Sequence, residues 1–147
     1  MVRDQPFDFH GTAMTVRATS AETGCYAVIA MRHPPHVGPA LHVHPRGAEA
    51  FFILEGRYTF QRAGEVIHAD AGDSVVIPAG VPHRYTSGPG GGRTLVATPP
   101  GLEHYFWDIA QRLARGPVSI DEEFTVAAAH GQNFLDRASH WTASSGV

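Results

Sequence analysis

The sequence predicts an all-β domain, a sandwich or barrel, followed by a short α-helical extension. Between about Gly11 and Thr98, short apolar runs recur at regular spacing with turn residues between them, giving eight or nine candidate strands. The 16 glycines and 11 prolines are scattered among those runs, the texture of a turn-rich β protein rather than a disordered one. After residue 101 the apolar spacing changes to that of a helix. With 147 residues the chain is long enough to bury a real core. Residues 1–100 are assigned to the β domain and 101–147 to the helical extension.

Thr12–Ala18 and Cys25–Met31 are the first expected strands, joined by the polar Thr19–Gly24. A proline-rich stretch, His33 to Pro39, leads into Leu41–His44. Glu49–Leu54 is apolar on both faces and reads as a strand covered on each side. Glu55-Gly56 is expected to turn the chain into Arg57–Arg62, where Tyr58 and Phe60 alternate with polar neighbours. Ala63-Gly64 reads as a tight hairpin before Glu65–Ala69. Asp73–Ile77 and Pro82–Thr86 follow, then a glycine-rich loop, Ser87–Gly92, and the strand Arg93–Thr98. Pro99-Pro-Gly101 ends that regime. Leu102, Phe106, Ile109 and Leu113 then form one stripe of an amphipathic helix, stopped by Gly116-Pro117. Ser119-Ile-Asp-Glu122 has capping-box spacing and opens a second helix through about Ala129, with Gly131 at its end. The remainder, Gln132–Val147, is polar and small at its end and is expected to fray.

Several function classes are excluded or disfavoured. A net charge of -3 without a basic stripe argues against nucleic-acid binding. No apolar run is long enough for a membrane span, and residues 1–25 lack the uninterrupted apolar stretch of a secretory signal, so a cytoplasmic protein is expected. Cys25 is the only cysteine; it rules out an intrachain disulfide or thiolate cluster and reads as a small buried hydrophobe. All eleven basic residues are arginine, which removes Schiff-base chemistry and any P-loop. Histidines number ten. Imidazole, carboxylate and guanidinium are the functional groups on offer.

Four of those groups fall in two glycine- and proline-framed runs, Gly38-Pro-Ala-Leu-His42-Val-His44-Pro-Arg-Gly-Ala-Glu49 and Gly72-Asp-Ser-Val-Val-Ile-Pro78-Ala-Gly80-Val-Pro-His83. His42 and His44 are two apart and leave the same face of a strand. Glu49 lies at an odd offset from His44, and Pro45–Ala48 supplies the turn that resets the phase, so that Glu49, Phe51 and Ile53 share the inner face. His83 arrives from a separate strand. Three neutral imidazole nitrogens and one carboxylate oxygen are thereby able to converge on one metal ion. Tyr85, two beyond His83, either orients a substrate or is a core aromatic. Phe51, Ile53, Tyr26 and Val28 are expected to form an apolar pocket wall. His33 and His36 read as exposed loop residues, His68, His104, His130 and His140 as surface, and Arg84 as pointing outward. The helix carrying Tyr105, Phe106 and Trp107 either closes the barrel mouth as a lid or packs on the outer face or across a dimer.

These motifs resemble those of the cupin superfamily. His42-x-His44, a four-residue gap, Glu49, six residues and Gly56 fit the first cupin motif; Gly72, Pro78, Gly80 and His83 fit the second. Gly38 lies three residues before His42 where the family usually has five, and Ser87 stands where an asparagine is usual. The helices after the barrel are similar to those of small quercetinase-like cupins. The resemblance implies a double-stranded β-barrel (jelly roll), a homodimer, and a divalent transition metal (Fe, Mn, Ni, Cu, Co or Zn) on His42, His44, Glu49 and His83. Three activities stay open: a quercetinase-like dioxygenase acting on a small enolic or hydroxylated aromatic substrate, with Glu49 doubling as a proton acceptor; a non-redox isomerase, cyclase or lyase using the metal as a Lewis acid; and a non-catalytic small-molecule-binding protein.

Overall fold

The computed structural model describes residues 1–141. Its strands are β1 (Phe7–Phe9), β2 (Thr12–Ala18), β3 (Ala27–His33), β4 (His42–Val43), β5 (Glu49–Arg62), β6 (Glu65–Asp70), β7 (Ser74–Ile77), β8 (His83–Thr98) and β9 (Asn133–Phe134). Helices α1 (Ser20–Thr23), α2 (Leu102–Leu113) and α3 (Ile120–Ala129) complete it. All strand pairs are antiparallel. The path runs β1-β2-β3-β8-β4-β9, and β5 joins β8 to β6 and β7. The sheet curls on itself into the expected barrel. Among the described residues, no helix is long and apolar enough to cross a membrane.

The backbone of the barrel is the long pairing of β5 with β8, from Ala50↔Ala97 to Arg62↔His83. The sequence suggested two strands in each of these segments; both are continuous. Glu55-Gly56 is a bulge and not a turn, and the register shifts on either side of it. Gly56 has φ +86, and a Cβ there would overlap the Gly91 carbonyl oxygen and lie 2.9 Å from Gly92 Cα. The glycine-rich segment after Ser87 therefore stays in the sheet, because two glycine backbones pass each other with no side chain between them. Ala63 and Gly64 form the expected tight turn, with φ +50 and +80.

Alternation places Phe51, Ile53, Tyr58, Phe60, Tyr85 and Val96 inside, with Ile29 and Met31 from β3. The first strand, Phe7–Phe9, was not apparent from the sequence. Phe9 is fully buried and meets the rings of Phe106, Trp141 and Tyr105 at 5.0, 5.3 and 5.7 Å. In α2, Leu102, Phe106 and Ile109 are buried and Leu113 is half-buried, as the stripe requires. Ser119 caps α3 by accepting a hydrogen bond from the Glu122 N–H. Thr19–Gly24, read as a plain connection, contains one helical turn closed by a capping box between Thr19 and Glu22.

Three expectations are corrected here. Cys25 is exposed, because it sits in the turn before β3 rather than in the strand. The segment after Gln132 does not fray as far as residue 141: β9 pairs with β4, and His140 and Trp141 are buried. The expectation for residues 142–147 lies outside the described residues. Phe52 and Leu54 are 46% and 45% exposed, so the outer face of β5 is uncovered in the single chain.

Candidate metal centre

His42, on β4, and His83, at the start of β8, are register partners. His44 follows β4, and its carbonyl accepts the Gly80 N–H at 2.9 Å, so the Pro78–Gly80 turn of the second motif grips the first. Glu49 opens β5 after the Pro45–Ala48 connection, on the same inward phase as Phe51. The result is a fully buried group in which one ligand atom from each of His42, His44, Glu49 and His83 lies within 4.8 Å of every other. Ring centroids are 4.2 Å apart for His42–His83, 4.8 Å for His42–His44 and 5.0 Å for His44–His83.

Tautomers follow from the hydrogen bonds. His42 Nδ1 lies 2.8 Å from the Ala40 carbonyl and His83 Nδ1 lies 2.9 Å from the Val81 carbonyl. A carbonyl only accepts, so each Nδ1 carries a proton, which leaves Nε2 as the atom that can offer a lone pair to a metal ion. His83 Nε2 and His44 Nε2 stand 3.1 and 3.3 Å from Glu49 Oε1. Neither ring nitrogen of His44 has a hydrogen-bond partner among the described residues, although the side chain is buried. Nitrogen lone pairs and a carboxylate facing one another out of water repel unless a cation lies among them. The donor set, nitrogen and oxygen without thiolate, fits a divalent transition ion. Burial alone would raise the Glu49 carboxyl, yet in the absence of a cation protonated His44 and His83 beside it would hold it well below the usual carboxylate range. Burial, reinforced by His83 and His44, pushes His42 well below the ordinary imidazole value.

Above the cluster is a small cavity with room of about 10 Å³, enough for a single water. Tyr85 and Phe51 line it. Ile53 does not; two residues further along β5, it is buried in the core. Tyr26 is also misplaced by the sequence reading. It is 43% exposed, because Ala27, Ile29 and Met31 take the inner phase of β3 and Tyr26 falls outside that strand. Phe106 closes the cavity from α2, the lid alternative left open for that helix, and the sequence reading missed Gln132 and Trp141, which close it from the C-terminal segment. A large apolar residue in the polar stretch after Leu135 was the available signal for Trp141.

The remaining histidines divide. His33, expected in an exposed loop, is buried against Tyr58 Oη (2.7 Å) and Tyr85 Oη (3.1 Å), and burial pushes it down to about 3. His140, expected at the surface, is buried in a second group with Glu123 and His10. His140 Nδ1 accepts the Ala40 N–H at 3.1 Å, so its proton is on Nε2, which donates to Glu123 Oε2 at 2.6 Å. That tautomer is the reverse of His42 and His83 and has no Nε2 lone pair to give. The second group is a hydrogen-bonded network, not a metal site. The two motif departures also acquire roles. Ser87 Oγ donates to the Pro34 carbonyl (2.7 Å) and accepts the Val37 N–H (3.0 Å), tying down the proline-rich strap. Gly38 is where that strap touches β8; a Cβ there would overlap the Tyr85 carbonyl oxygen.

With this geometry in place, residues 30–97 match the Cupin domain family, Cupin_2. The barrel has the cupin fold. Its solved relatives include an RmlC-like cupin from Shewanella frigidimarina NCIMB 400, 19% identical over 69% of this chain and 88% of that one, with a TM-score of 0.58. They also include the DMSP lyase DddQ from Ruegeria pomeroyi DSS-3, 25% identical over 63% of this chain and 48% of that one, with a TM-score of 0.54. Among curated proteins, the probable oxidoreductase virH of Hypocrea virens (strain Gv29-8 / FGSC 10586) is 35% identical over 74 residues, 47% of this chain. The match spans about a third of that relative's length, 34%.

Proposed function

We propose that this cupin is a metal-dependent oxidoreductase that directs O₂ onto a small enolic or hydroxylated aromatic substrate, in the manner of a quercetinase-like dioxygenase. The observation that carries the reading is the sealed group of His42, His44, His83 and Glu49 beneath an aromatic-lined cavity. The likeness to a probable oxidoreductase supports the redox assignment. A divalent transition ion on these four residues would supply Lewis acidity toward a substrate oxygen and, if redox-active, an electron path to O₂. Glu49, kept ionised, accepts the substrate hydroxyl proton on a carboxylate oxygen. Phe51 and Phe106 exclude water from the reacting groups. Tyr85 stays a neutral phenol, since burial raises its hydroxyl well above the ordinary value, and its bond to His33 fixes where that hydroxyl points. The cavity admits only a water as it stands, so a substrate gains access by displacing the Gln132–Trp141 side. The same proposal includes a homodimer formed through the exposed outer face of β5 and β7, where Phe52, Leu54 and Val76 stand 45–52% exposed.

A second reading, a non-redox lyase, isomerase or cyclase using the ion as a Lewis acid, is favoured by the likeness to a DMSP lyase. Oxygen uptake by protein loaded separately with Fe, Cu, Ni or Zn, against a panel of enolic and phenolic compounds, separates the two. O₂ consumption matched to product, with loss of turnover on Zn substitution, supports the dioxygenase. Turnover that persists without oxygen and with Zn supports the second reading. Absence of product under either atmosphere rejects both.

A further inference from the structure

The strap that carries His42 is tied to the barrel at Val37 and at His44, and only sparsely between them. Strand β4 is two residues long and meets β8 only at His42↔His83. Its other edge is occupied by the C-terminal segment. Phe134 and Asn133 pair with His42 and Val43, the Leu135 N–H donates to the Leu41 carbonyl (2.8 Å), and the Trp141 N–H donates to the Gly38 carbonyl (2.6 Å). The Leu41 N–H donates to Asp136 Oδ1 at 3.3 Å, and that peptide unit also presents the Ala40 carbonyl which accepts from His42 Nδ1. The Ala40 N–H donates to His140.

What anchors the segment is Glu123 on α3. Its carboxylate is 2% exposed and takes three donors: His10 Nε2 at 2.7 Å, His140 Nε2 at 2.6 Å and the Tyr105 hydroxyl at 2.6 Å. Each would be costly to leave unpaired in that surrounding. The metal reading of His42 does not need Glu123, which lies outside the ligand group. Yet a continuous set of hydrogen bonds runs from Glu123 through His140 to Ala40, and from Ala40 to His42.

We propose that Glu123 is a positioning residue for the metal centre: through His140 it latches the C-terminal segment onto the His42 strap and so sets how long the ion is retained. This rests on the metal reading of His42, His44, Glu49 and His83. Residues that orient a metal ligand without touching the ion typically change affinity about 10- to 100-fold when removed. A carboxylate-to-amide change keeps an acceptor for His140 and Tyr105, whereas a leucine of similar size keeps none.

The test is chelator-driven release of Co²⁺ from the reconstituted full chain, followed by absorbance. E123L is expected to release the ion about tenfold faster than wild type or more, and E123Q within about threefold of it. His140→Leu, which cuts the same latch from the tail side while leaving Glu123 bonded to His10 and Tyr105, is expected to behave as E123L. The matched control is E103L. Glu103 is equally buried, on α2, and holds the Ser20 N–H, Ser20 hydroxyl and Gly101 N–H without touching the strap. That variant is expected to lower the melting temperature while keeping the wild-type release rate. Wild-type release from both E123L and His140→Leu overturns the inference alone, as does equal acceleration by E103L or an E123Q as fast as E123L. A wild type that takes up no Co²⁺ overturns the metal reading and this inference with it.

Discussion

Gly38→Ala should be the most damaging single-methyl change in the strap. The glycine's backbone runs so close to β8 that an added Cβ would overlap the Tyr85 carbonyl oxygen and sit 2.8 Å from its carbonyl carbon. The obstructing atoms are backbone, and β8 is fixed there by pairing of Tyr85 with Phe60 of β5, so the strap must retreat. Three hydrogen bonds depend on its present place: Ser87 N–H to the Val37 carbonyl (2.9 Å), Val37 N–H to Ser87 Oγ (3.0 Å) and Trp141 N–H to the Gly38 carbonyl (2.6 Å). Leaving a buried partner unpaired costs about 1–3 kcal/mol, so the loss of two or three of them sets a destabilisation of about 3–5 kcal/mol. Because His42 lies on the same strap, metal uptake should fall as well. Urea denaturation of the metal-free protein measures the first effect and metal titration the second. Gly90→Ala, with no atom within 4 Å of the added Cβ and no positive φ, is the control and should be nearly neutral. A Gly38→Ala protein within about 1 kcal/mol of wild type, binding metal normally, would refute the close-approach reasoning.

Burial of His33 makes a pH prediction. Its folded pKa, about 3, lies below the ordinary 6.5, so the unfolded chain takes up the proton first. The associated stability is complete above pH 6.5 and is lost as pH falls toward about 3, at about 1.4 kcal/mol per pH unit. Urea curves should therefore show wild type losing about 2–3 kcal/mol more than His33→Gln between about pH 7 and pH 4.5; parallel losses would contradict the assignment. Phe9→Ala should cost about 3–5 kcal/mol in the same assay, since its ring is sealed among Tyr105, Phe106 and Trp141. A cost under about 1 kcal/mol would show that β1 is dispensable. Cys25 should react with a thiol reagent in the native protein at a rate close to that in denaturant, and strong native protection would contradict its exposed position.

The candidate ligand group was legible because its signal is local. His42 and His44 share a strand face through their spacing, and the Pro45–Ala48 connection that brings Glu49 into phase is written in turn residues. The amphipathic stripe of α2 and the Ser119 cap of α3 were legible for the same reason. The pocket wall was not, since it depends on which strand phase faces inward. Tyr26 failed because Ala27, Ile29 and Met31 take the inner phase of β3, which starts at Ala27 and not at Cys25, and Ile53 failed because inward alternation distinguishes core from cavity only once the distance along β5 is known. Phe9, Glu123, His140 and Trp141 are long-range effects. A polar tail is held down by a buried carboxylate more than ten residues away, and no periodicity announces that. Ser87 and Gly38, departures from the family pattern, are accounted for once the strap is seen lying on β8.

The central claim is that His42, His44, Glu49 and His83 hold a metal ion. Elemental analysis of the full chain purified without added metal, alongside His42→Ala at matched folded fraction, tests it most directly. The expected result is about one transition-metal ion per wild-type chain and near-complete loss in His42→Ala. Equal metal content in the two proteins, or none in wild type even after incubation with divalent ions, would contradict it.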